Sequence, residues 1–233
     1  MREDKRVTVY IAGDSTAANY PEDKRPMSGW GEWIASYLAE EVRVSNRARN
    51  GRSSKSFIAE GHFDLIASSI GEGDYLLVQF GHNDEKPDEK RHTDPGSTYE
   101  ENLTRYIEMA RSKGAHPLLL TSVERRKFNE AGELVPSHGD YPAAVQRLAE
   151  KLEVPLLDLC SRTQEAYRKL GAEASKAWFV WLEPGEHPNY PEGERDDTHF
   201  NELGAQKVAG LVAEALAASG SPLAGYLKAG AVG

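Results

Sequence analysis

The segment VTVYIAGDSTAA, residues 7–18, joins a short apolar run, Val7–Ala12, to a cluster of small polar residues. Similar apolar runs recur at Tyr75–Phe80, Pro117–Val123 and Pro155–Leu159, with a weaker one at Val42–Asn46. Their apolar character is continuous rather than alternating, which is typical of strands buried on both faces of a parallel sheet. The sequence therefore predicts a five-stranded parallel sheet that begins with Val7–Ala12.

Segments with the helical spacing of apolar residues lie between these runs. Apolar side chains repeat at intervals of three and four over residues 30–38, 103–110, 144–152 and 201–218. Strands that alternate with helices predict right-handed crossovers and a three-layer α/β sandwich with helices on both faces of the sheet. No internal repeat or shift in composition marks a boundary, so we expect residues 1–233 to form one domain.

Two long polar stretches interrupt the alternation of strands and helices. Asp84–Thr98 follows the run that ends at Phe80, and Phe179–Thr198 is rich in Pro, Gly and Glu. Loops of this length in an α/β domain are usually functional or disordered. Ligands of open α/β sheets bind beyond the carboxyl ends of the strands. We therefore expect both stretches to be loops close to the ligand-binding edge.

The composition excludes several classes of partner. The 233 residues contain 28 Lys and Arg against 37 Asp and Glu, with a formal net charge of −9. Nucleic acids and anionic membranes require a basic surface, so neither is an expected partner. The single cysteine, Cys160, excludes an internal disulfide framework and a Cys-rich zinc site. No signal-peptide pattern and no run of ~20 apolar residues is present, which predicts a cytoplasmic protein.

Two motifs contain residues suited to nucleophilic catalysis. Ser15 follows the first strand, at a sheet edge where backbone N–H groups can meet developing negative charge. The same Gly-Asp-Ser-Thr sequence also suits a turn with a helix cap. Asp196 and His199 precede the last helix, and a carboxylate at this spacing can orient an imidazole that takes a proton from a hydroxyl. The simpler interpretation is a capping cluster with an exposed histidine.

Two further motifs also follow strands. Asn83, in the sequence GHND, could donate its side-chain amide to an oxyanion, or it could serve only in a turn. Gly51, in the sequence NGRSS, could let a backbone N–H approach a ligand closely, or it could be only a turn glycine. Together the four motifs supply the serine, base, orienting acid and oxyanion donors that acyl transfer needs.

Four blocks occur in a fixed order: GDSTAA (13–18), NGRSSKSF (50–57), GHND (81–84) and DDTHF (196–200). In these blocks the chain resembles the SGNH (GDSL-type) hydrolases, and among them the rhamnogalacturonan acetylesterases, over about residues 7–219. Thr16 stands where many members of the superfamily have Leu, and here the acetylesterase group resembles the chain. The resemblance implies a flavodoxin-like fold with five parallel strands in the order 2-1-3-4-5.

The resemblance also implies a role for each site residue. Ser15 is the expected nucleophile, His199 the general base and later the general acid, and Asp196 the carboxylate that orients the imidazole. The expected oxyanion hole consists of the backbone N–H groups of Ser15 and Gly51 and the side-chain amide of Asn83. The implied activity is removal of acetyl groups from acetylated rhamnogalacturonan oligosaccharides through an acetyl-enzyme. This chemistry requires no cofactor and no metal ion.

Aromatic and basic residues are the candidates for substrate contacts. Trp178 and Trp181 precede the DDTHF block and could line a sugar-binding groove or belong to the core. Arg52 could bind a galacturonate carboxylate or remain a solvated charge. His82 belongs to the GHND block and completes the set of candidate substrate-binding residues. The two interpretations given for Arg52 also apply to Arg125, Arg126 and Lys127.

Other functions compete with this interpretation. An acetylesterase acting on xylan or on small acetylated glycosides would use the same catalytic residues. A non-catalytic carbohydrate-binding protein could keep the scaffold, but the complete set of Ser15, Asp196 and His199 counts against it. A lipase-like role is disfavoured because no long apolar lid is evident in the sequence. The position of the acetyl group on the sugar and the oligomeric state are not determined by the sequence.

Overall fold

Five short strands form a parallel sheet in the computed structural model, which describes residues 6–231. They are β1 (Thr8–Gly13), β2 (Arg43–Asn46), β3 (Tyr75–Gln79), β4 (His116–Leu120) and β5 (Leu156–Leu157). The order across the sheet is β2-β1-β3-β4-β5, and each neighbouring pair is parallel. The five-stranded sheet and its 2-1-3-4-5 order are thus confirmed.

Helices cover both faces of this sheet. Within residues 6–231 the α-helices are α1 (Ser54–Ala59), α2 (His62–Ala67), α3 (Thr98–Ser112), α4 (Tyr141–Lys151), α5 (Leu159–Ala174) and α6 (Glu202–Ala218). Successive side chains of a strand point to opposite faces. Val9 and Ile11 of β1 therefore share a core cluster with α5 and α6, whereas Tyr10 and Ala12 share a second cluster with α1 to α4. The predicted three-layer sandwich is confirmed.

The segment 30–38 is not the α-helix that its apolar spacing predicted. Trp30–Glu32 and Ile34–Tyr37 form two short 3₁₀ turns instead. Gly29, directly before these turns, lies so close to the segment after β1 that a Cβ at this position would be 2.2 Å from the carbonyl oxygen of Ala18. The segment thus packs backbone against backbone on the residues that follow β1.

The stretch Phe179–Thr198 is also not the long loop that its composition predicted. Phe179–Leu182 (β6) and Glu194–Phe200 (β7) pair as a separate antiparallel sheet, with a loop only between them. The side chains of β7 are mostly polar and only partly buried, so the alternation that identifies a half-buried strand is absent from its sequence. Asp196 and His199 therefore lie on β7, between its two paired ends, where the register with β6 is irregular.

Other differences concern short elements. The run Pro155–Leu159 contributes only two strand residues, because the Asp158 side chain accepts a hydrogen bond from the Ser161 backbone N–H and begins α5. The sequence pattern also did not predict α1, α2 or α5. Asp84–Thr98 does form a loop, as expected, and α3 starts at its last residue. No helix within the described residues 6–231 is long and apolar enough to cross a membrane.

Candidate active site

A chain of hydrogen bonds lies at the carboxyl edge of the parallel sheet and joins Ser15 to His199 and His199 to Asp196. Ser15 Oγ is 3.1 Å from His199 Nε2, and His199 Nδ1 is 2.6 Å from Asp196 Oδ2. The second carboxylate oxygen of Asp196 accepts the backbone N–H groups of Thr198 and His199 at 2.7 and 2.9 Å. A carboxylate that holds the Nδ1 proton leaves Nε2 able to accept the hydroxyl proton of the serine.

The charge state of Asp196 follows from its surroundings. Burial raises the pKa of Asp196, but hydrogen bonds from the His199 ring and the attraction of that ring outweigh burial, and the net pKa is lowered. The carboxylate is therefore ionised at neutral pH, as a group that orients an imidazole must be. The His199 side chain is 29% exposed, so a substrate can reach it from solvent.

Buried hydrogen bonds hold the segment that contains Ser15. The Thr16 backbone N–H and Oγ1 donate to Asp14 Oδ1 at 2.9 and 2.8 Å. Gln79 Nε2 donates in turn to Thr16 Oγ1 at 3.0 Å, and Gln79 Oε1 accepts from Trp30 Nε1 at 2.5 Å. All four side chains are buried. The serine segment is thereby tied to the end of β3 and to the 3₁₀ turn that begins at Trp30.

Asn83 lies against the loop that contains Gly51. Its side chain is buried, and Nδ2 donates to the backbone carbonyl of Arg52 at 3.2 Å. Gly51 has a φ of +75°, a left-handed conformation that favours glycine, and a Cβ here would meet no atom. The same loop is joined to the end of β1, because the Arg49 N–H donates to the Gly13 carbonyl at 2.9 Å. The loops after β1, β2 and β3 therefore meet at one edge.

Asp197 anchors β7 next to the catalytic candidates. Its Oδ1 accepts from Arg126 Nη1 at 2.6 Å and from Trp181 Nε1 at 2.8 Å. The Arg126 backbone N–H also donates to the Asp197 carbonyl at 2.9 Å. The Arg126 guanidinium stacks over the Trp181 ring, 4.8 Å from its centroid. This cluster holds the strand with Asp196 and His199 against the segment that follows β4.

A second imidazole is buried behind the serine segment. His82 Nδ1 lies 3.5 Å from Asp14 Oδ2, and the His82 ring packs edge-on against His138 with centroids 4.4 Å apart. Burial, followed by the influence of His138, lowers the pKa of His82 to about 4. His82 is therefore neutral at neutral pH.

Asp84, the last residue of GHND, ties α1 to the loop before α3. Its carboxylate accepts the Ser54 backbone N–H at 3.1 Å, Ser54 Oγ at 2.5 Å and Thr93 Oγ1 at 2.9 Å. Burial raises the pKa of Asp84 to about 6 in spite of these hydrogen bonds.

Over the described range 6–231, no group of three or more His, Cys, Asp or Glu side chains is arranged to hold a metal ion.

The model of the GDSL-like Lipase/Acylhydrolase family matches residues 11–207 of this chain. The chain belongs to this family. Within it, the chain is 48% identical over 223 residues to rhamnogalacturonan acetylesterase RhgT of Bacillus subtilis (strain 168), a match that covers 96% of this chain and 95% of that protein. It is 39% identical to the probable rhamnogalacturonan acetylesterase YesY of the same organism, covering 92% and 94% of the two chains. The resemblance inferred from the four sequence blocks is confirmed.

Two solved structures show the same architecture. Protein YXIM of Bacillus subtilis superimposes with a TM-score of 0.79 at 27% identity, over 94% of this chain and 58% of that one. An acetyl-xylooligosaccharide esterase from Geobacillus superimposes with a TM-score of 0.64 at 17% identity, over 98% of this chain and all of that one. At this identity the second match indicates the shared fold only.

The candidate substrate-binding residues lie in different surroundings. Arg52 is partly exposed and paired with Glu60 at 2.8 Å, whereas His82 is buried. Trp178 packs against the core, edge-on to Tyr167. Trp181 lines a cavity of about 760 Å³ whose lining residues do not include Ser15 or His199. Substrate binding by these four residues stays a prediction.

Several residues that support the site were not predicted from the sequence. Gln79 donates to Thr16, Trp30 donates to Gln79, and Tyr20 Oη donates to the Ser15 carbonyl at 3.0 Å. The one signal in the sequence was a polar Gln79 within the apolar run YLLVQF, and the structure shows that this amide is fully buried. Trp30 and Tyr20 give no such signal, because an aromatic residue in an apolar pattern is first interpreted as core.

Proposed function

We propose that this chain is a serine esterase that removes acetyl groups from acetylated rhamnogalacturonan oligosaccharides. The observation that carries the chemistry is the 3.1 Å contact between Ser15 Oγ and His199 Nε2, with Asp196 behind the imidazole. The family relationship supports ester hydrolysis, and two relatives named as known and probable rhamnogalacturonan acetylesterases support the substrate class.

In the first half of the reaction, Ser15 Oγ attacks the acetyl carbonyl while His199 Nε2 accepts the hydroxyl proton. The resulting tetrahedral intermediate carries a negative charge on the former carbonyl oxygen. Its collapse breaks the bond to the sugar oxygen, which takes the proton from His199 and leaves as an alcohol. The acetyl group then remains on Ser15 as an ester.

The proposed oxyanion donors come from three loops. They are the backbone N–H of Ser15, the backbone N–H of Gly51 and the Nδ2 amide of Asn83. The contact between Asn83 and the Arg52 carbonyl supports this set, because it fixes the amide against the loop that includes Gly51. Preorganised donors stabilise the charge that develops in the transition state more than they stabilise the substrate.

In the second half, a water molecule attacks the acetyl ester and His199 accepts a proton from it. Collapse of the second tetrahedral intermediate breaks the bond between the acetyl carbon and Ser15 Oγ. The serine oxygen recovers its proton from His199, and acetate leaves. Asp196 stays ionised throughout and stabilises the imidazolium that forms in each half-reaction.

The substrate proposal is tested by acetate release from defined oligosaccharides. Acetylated rhamnogalacturonan fragments should be hydrolysed with a higher kcat/KM than acetylated xylooligosaccharides. A reversed preference would favour the alternative acetylesterase on xylan or small acetylated glycosides. In the matched control, Ser15→Ala should release no acetate from either substrate. Normal release by Ser15→Ala would refute the serine mechanism, and no release by the wild-type protein would favour a non-catalytic carbohydrate-binding protein.

Two further predictions belong to this proposal. A single domain over residues 1–233 is supported by the core cluster that includes Val9 of β1, Phe179 of β6 and Phe200 of β7. Unfolding monitored by two independent probes tests this prediction, because one domain should give a single coincident transition. The cytoplasmic location stays a prediction, which cell fractionation can check.

A further inference from the structure

The polar stretch Asp84–Thr98, between β3 and α3, folds back so that Thr93 contacts its first residue, Asp84. The Thr93 backbone N–H donates to the Asp84 carbonyl at 3.0 Å, and Thr93 Oγ1 donates to the Asp84 carboxylate at 2.9 Å. Tyr141 Oη donates to the carbonyl oxygens of both residues, at 3.1 and 2.5 Å. The base of the loop is therefore fixed directly after Asn83, and side chains within the loop approach Asn83 from defined positions.

Arg91 reaches Asn83 from this loop. Its Nη1 lies 3.4 Å from Asn83 Oδ1. The guanidinium is itself held by Asp88, whose Oδ2 accepts from Nε at 2.8 Å and lies 2.7 Å from Nη2. On its other side, Asn83 Nδ2 donates one hydrogen to the carbonyl of Arg52 at 3.2 Å. The amide of Asn83 thus has a donor group at its oxygen and an acceptor at its nitrogen.

These two neighbours specify the orientation of the amide. A guanidinium has only donors and a carbonyl oxygen has only acceptors, so rotation of the amide by 180° would create two repulsive contacts. In the observed orientation the second Nδ2 hydrogen stays available. If the amide rotated, its oxygen would face the developing oxyanion and repel it.

We propose that Arg91 is a positioning residue that keeps the Asn83 amide nitrogen directed at the oxyanion. This inference rests on the proposed oxyanion role of Asn83. It assigns a function to the loop 84–98, whose length and polarity had suggested one. The side chain of Arg91 acts through Asn83 and needs no contact with the substrate.

A double-mutant cycle on a neutral aryl acetate tests this inference. Arg91→Met removes the guanidinium donors and keeps a long unbranched side chain. We expect a roughly tenfold lower kcat with little change in KM, a fraction of the ~10²–10³-fold loss for a missing oxyanion donor. Because Arg91 acts through Asn83, adding Arg91→Met to Asn83→Ala should lower kcat by less than about twofold further.

Two other variants separate positioning from loss of charge or of folding. Lys90→Met removes the same charge from an exposed side chain of the same loop, and it should keep the wild-type kcat. Asp88→Asn keeps Arg91 but weakens the ion pair that holds it, so it should lower kcat in the same non-additive way. If Arg91→Met does not fold, Asp88→Asn provides the second arm of the cycle.

Four outcomes would overturn the inference. One is an undiminished effect of Arg91→Met in the Asn83→Ala background. Another is a loss confined to uronate-bearing substrates, which would make Arg91 a carboxylate-binding residue instead. The third is wild-type kcat in Asn83→Ala, which would refute the proposed oxyanion role of Asn83 as well. A normal Arg91→Met kcat combined with a strongly impaired Asn83→Ala would overturn the positioning role alone.

Discussion

The Arg126 guanidinium donates to Asp197 at 2.6 Å, one residue beyond the carboxylate that contacts His199. A second hydrogen bond joins Arg126 Nη2 to the Ala172 carbonyl at 2.6 Å, and the residue is only 6% exposed. The sequence left Arg126 as either a contact for galacturonate or a solvated charge. Neither interpretation fits, because the guanidinium is buried and paired within the protein, where it fixes the position of β7.

Arg126→Met should therefore lower the free energy of unfolding. Hydrogen bonds to charged groups contribute about 2 kcal/mol each to the free energy of unfolding. The hydrogen bond to Asp197 contributes less than this, because the Asp197 side chain is partly exposed to water. We expect a net loss of about 2 kcal/mol in urea denaturation. The matched control, Arg162→Met, breaks a pair with Glu214 in which both side chains are partly exposed, and it should cost at most about 1 kcal/mol. Equal losses would contradict the anchoring role of Arg126.

Asp196→Asn should abolish most activity without unfolding the protein. An amide can still accept the two backbone N–H groups with its oxygen, but its nitrogen would then face His199 Nδ1 as a donor. The imidazole would take the tautomer with its proton on Nε2, which cannot accept the Ser15 proton. In a serine protease with this geometry the equivalent change lowers kcat by about 10⁴. We expect a loss of that order in acetate release.

Asp197→Asn is the control for this prediction. It removes the same charge one position further along β7, where the carboxylate binds Arg126 instead of the imidazole. Asp197→Asn should lower the free energy of unfolding, and it should lower kcat much less than Asp196→Asn does. If the two variants lost equal activity, the effect of Asp196→Asn would reflect charge or local structure rather than the tautomer.

The predictable part of the fold is the part whose sequence signal is local. β1, β3 and β4 are continuous apolar runs, and α6 has a long apolar face. β7 was missed because a mostly polar strand takes its structure from hydrogen bonds to β6, a partner that no local pattern identifies. The segment 30–38 shows the apolar spacing of a helix, but it forms two 3₁₀ turns whose start is joined to the serine segment, since the Trp30 backbone N–H donates to the Thr16 carbonyl at 3.0 Å.

In the candidate site too, the residues with a local sequence signal were predicted and those without one were not. Ser15, Asp196 and His199 follow from short motifs, and the structure brings them into contact across 184 residues. Arg126 pairs with Asp197 across 71 residues, and Arg91 contacts Asn83 across a loop without regular structure, so no spacing rule predicts either contact. A charged side chain has the same sequence signature whether it faces solvent, substrate or another part of the protein.

His82 should make the protein less stable in mild acid. Burial, and next the His138 ring, lower its pKa to about 4, against about 6.5 in an unfolded chain. The unfolded state binds this proton at higher pH than the folded state does, so the free energy of unfolding should fall as the pH drops from about 6.5 to about 4. The shift corresponds to a loss of up to about 3 kcal/mol.

Urea denaturation at several pH values between 4 and 7 measures this effect. His82→Gln removes the titrating group, so its free energy of unfolding should fall less steeply toward pH 4 than that of the wild type. His92→Gln, which changes a more exposed histidine in the loop before α3, should follow the wild-type profile. Parallel profiles for wild type and His82→Gln would show that His82 does not carry the acid sensitivity.

Arg52 offers a test of how an acidic protein can bind an acidic sugar. Its guanidinium lies beside the loop that contains Gly51, where Nη1 donates to the Asn50 carbonyl at 2.8 Å. Glu60 accepts from Nε at 2.8 Å and competes for the same charge. Arg52→Met should raise KM severalfold for uronate-bearing oligosaccharides and leave KM unchanged for a neutral acetylated glycoside.

Glu60→Gln should lower KM for the uronate substrate, because it frees the guanidinium of Arg52. Added salt should diminish both effects, since both side chains are partly exposed. Equal changes on the neutral substrate would instead mean that Arg52 only supports the loop around Gly51, and no change on either substrate would leave it a solvated charge.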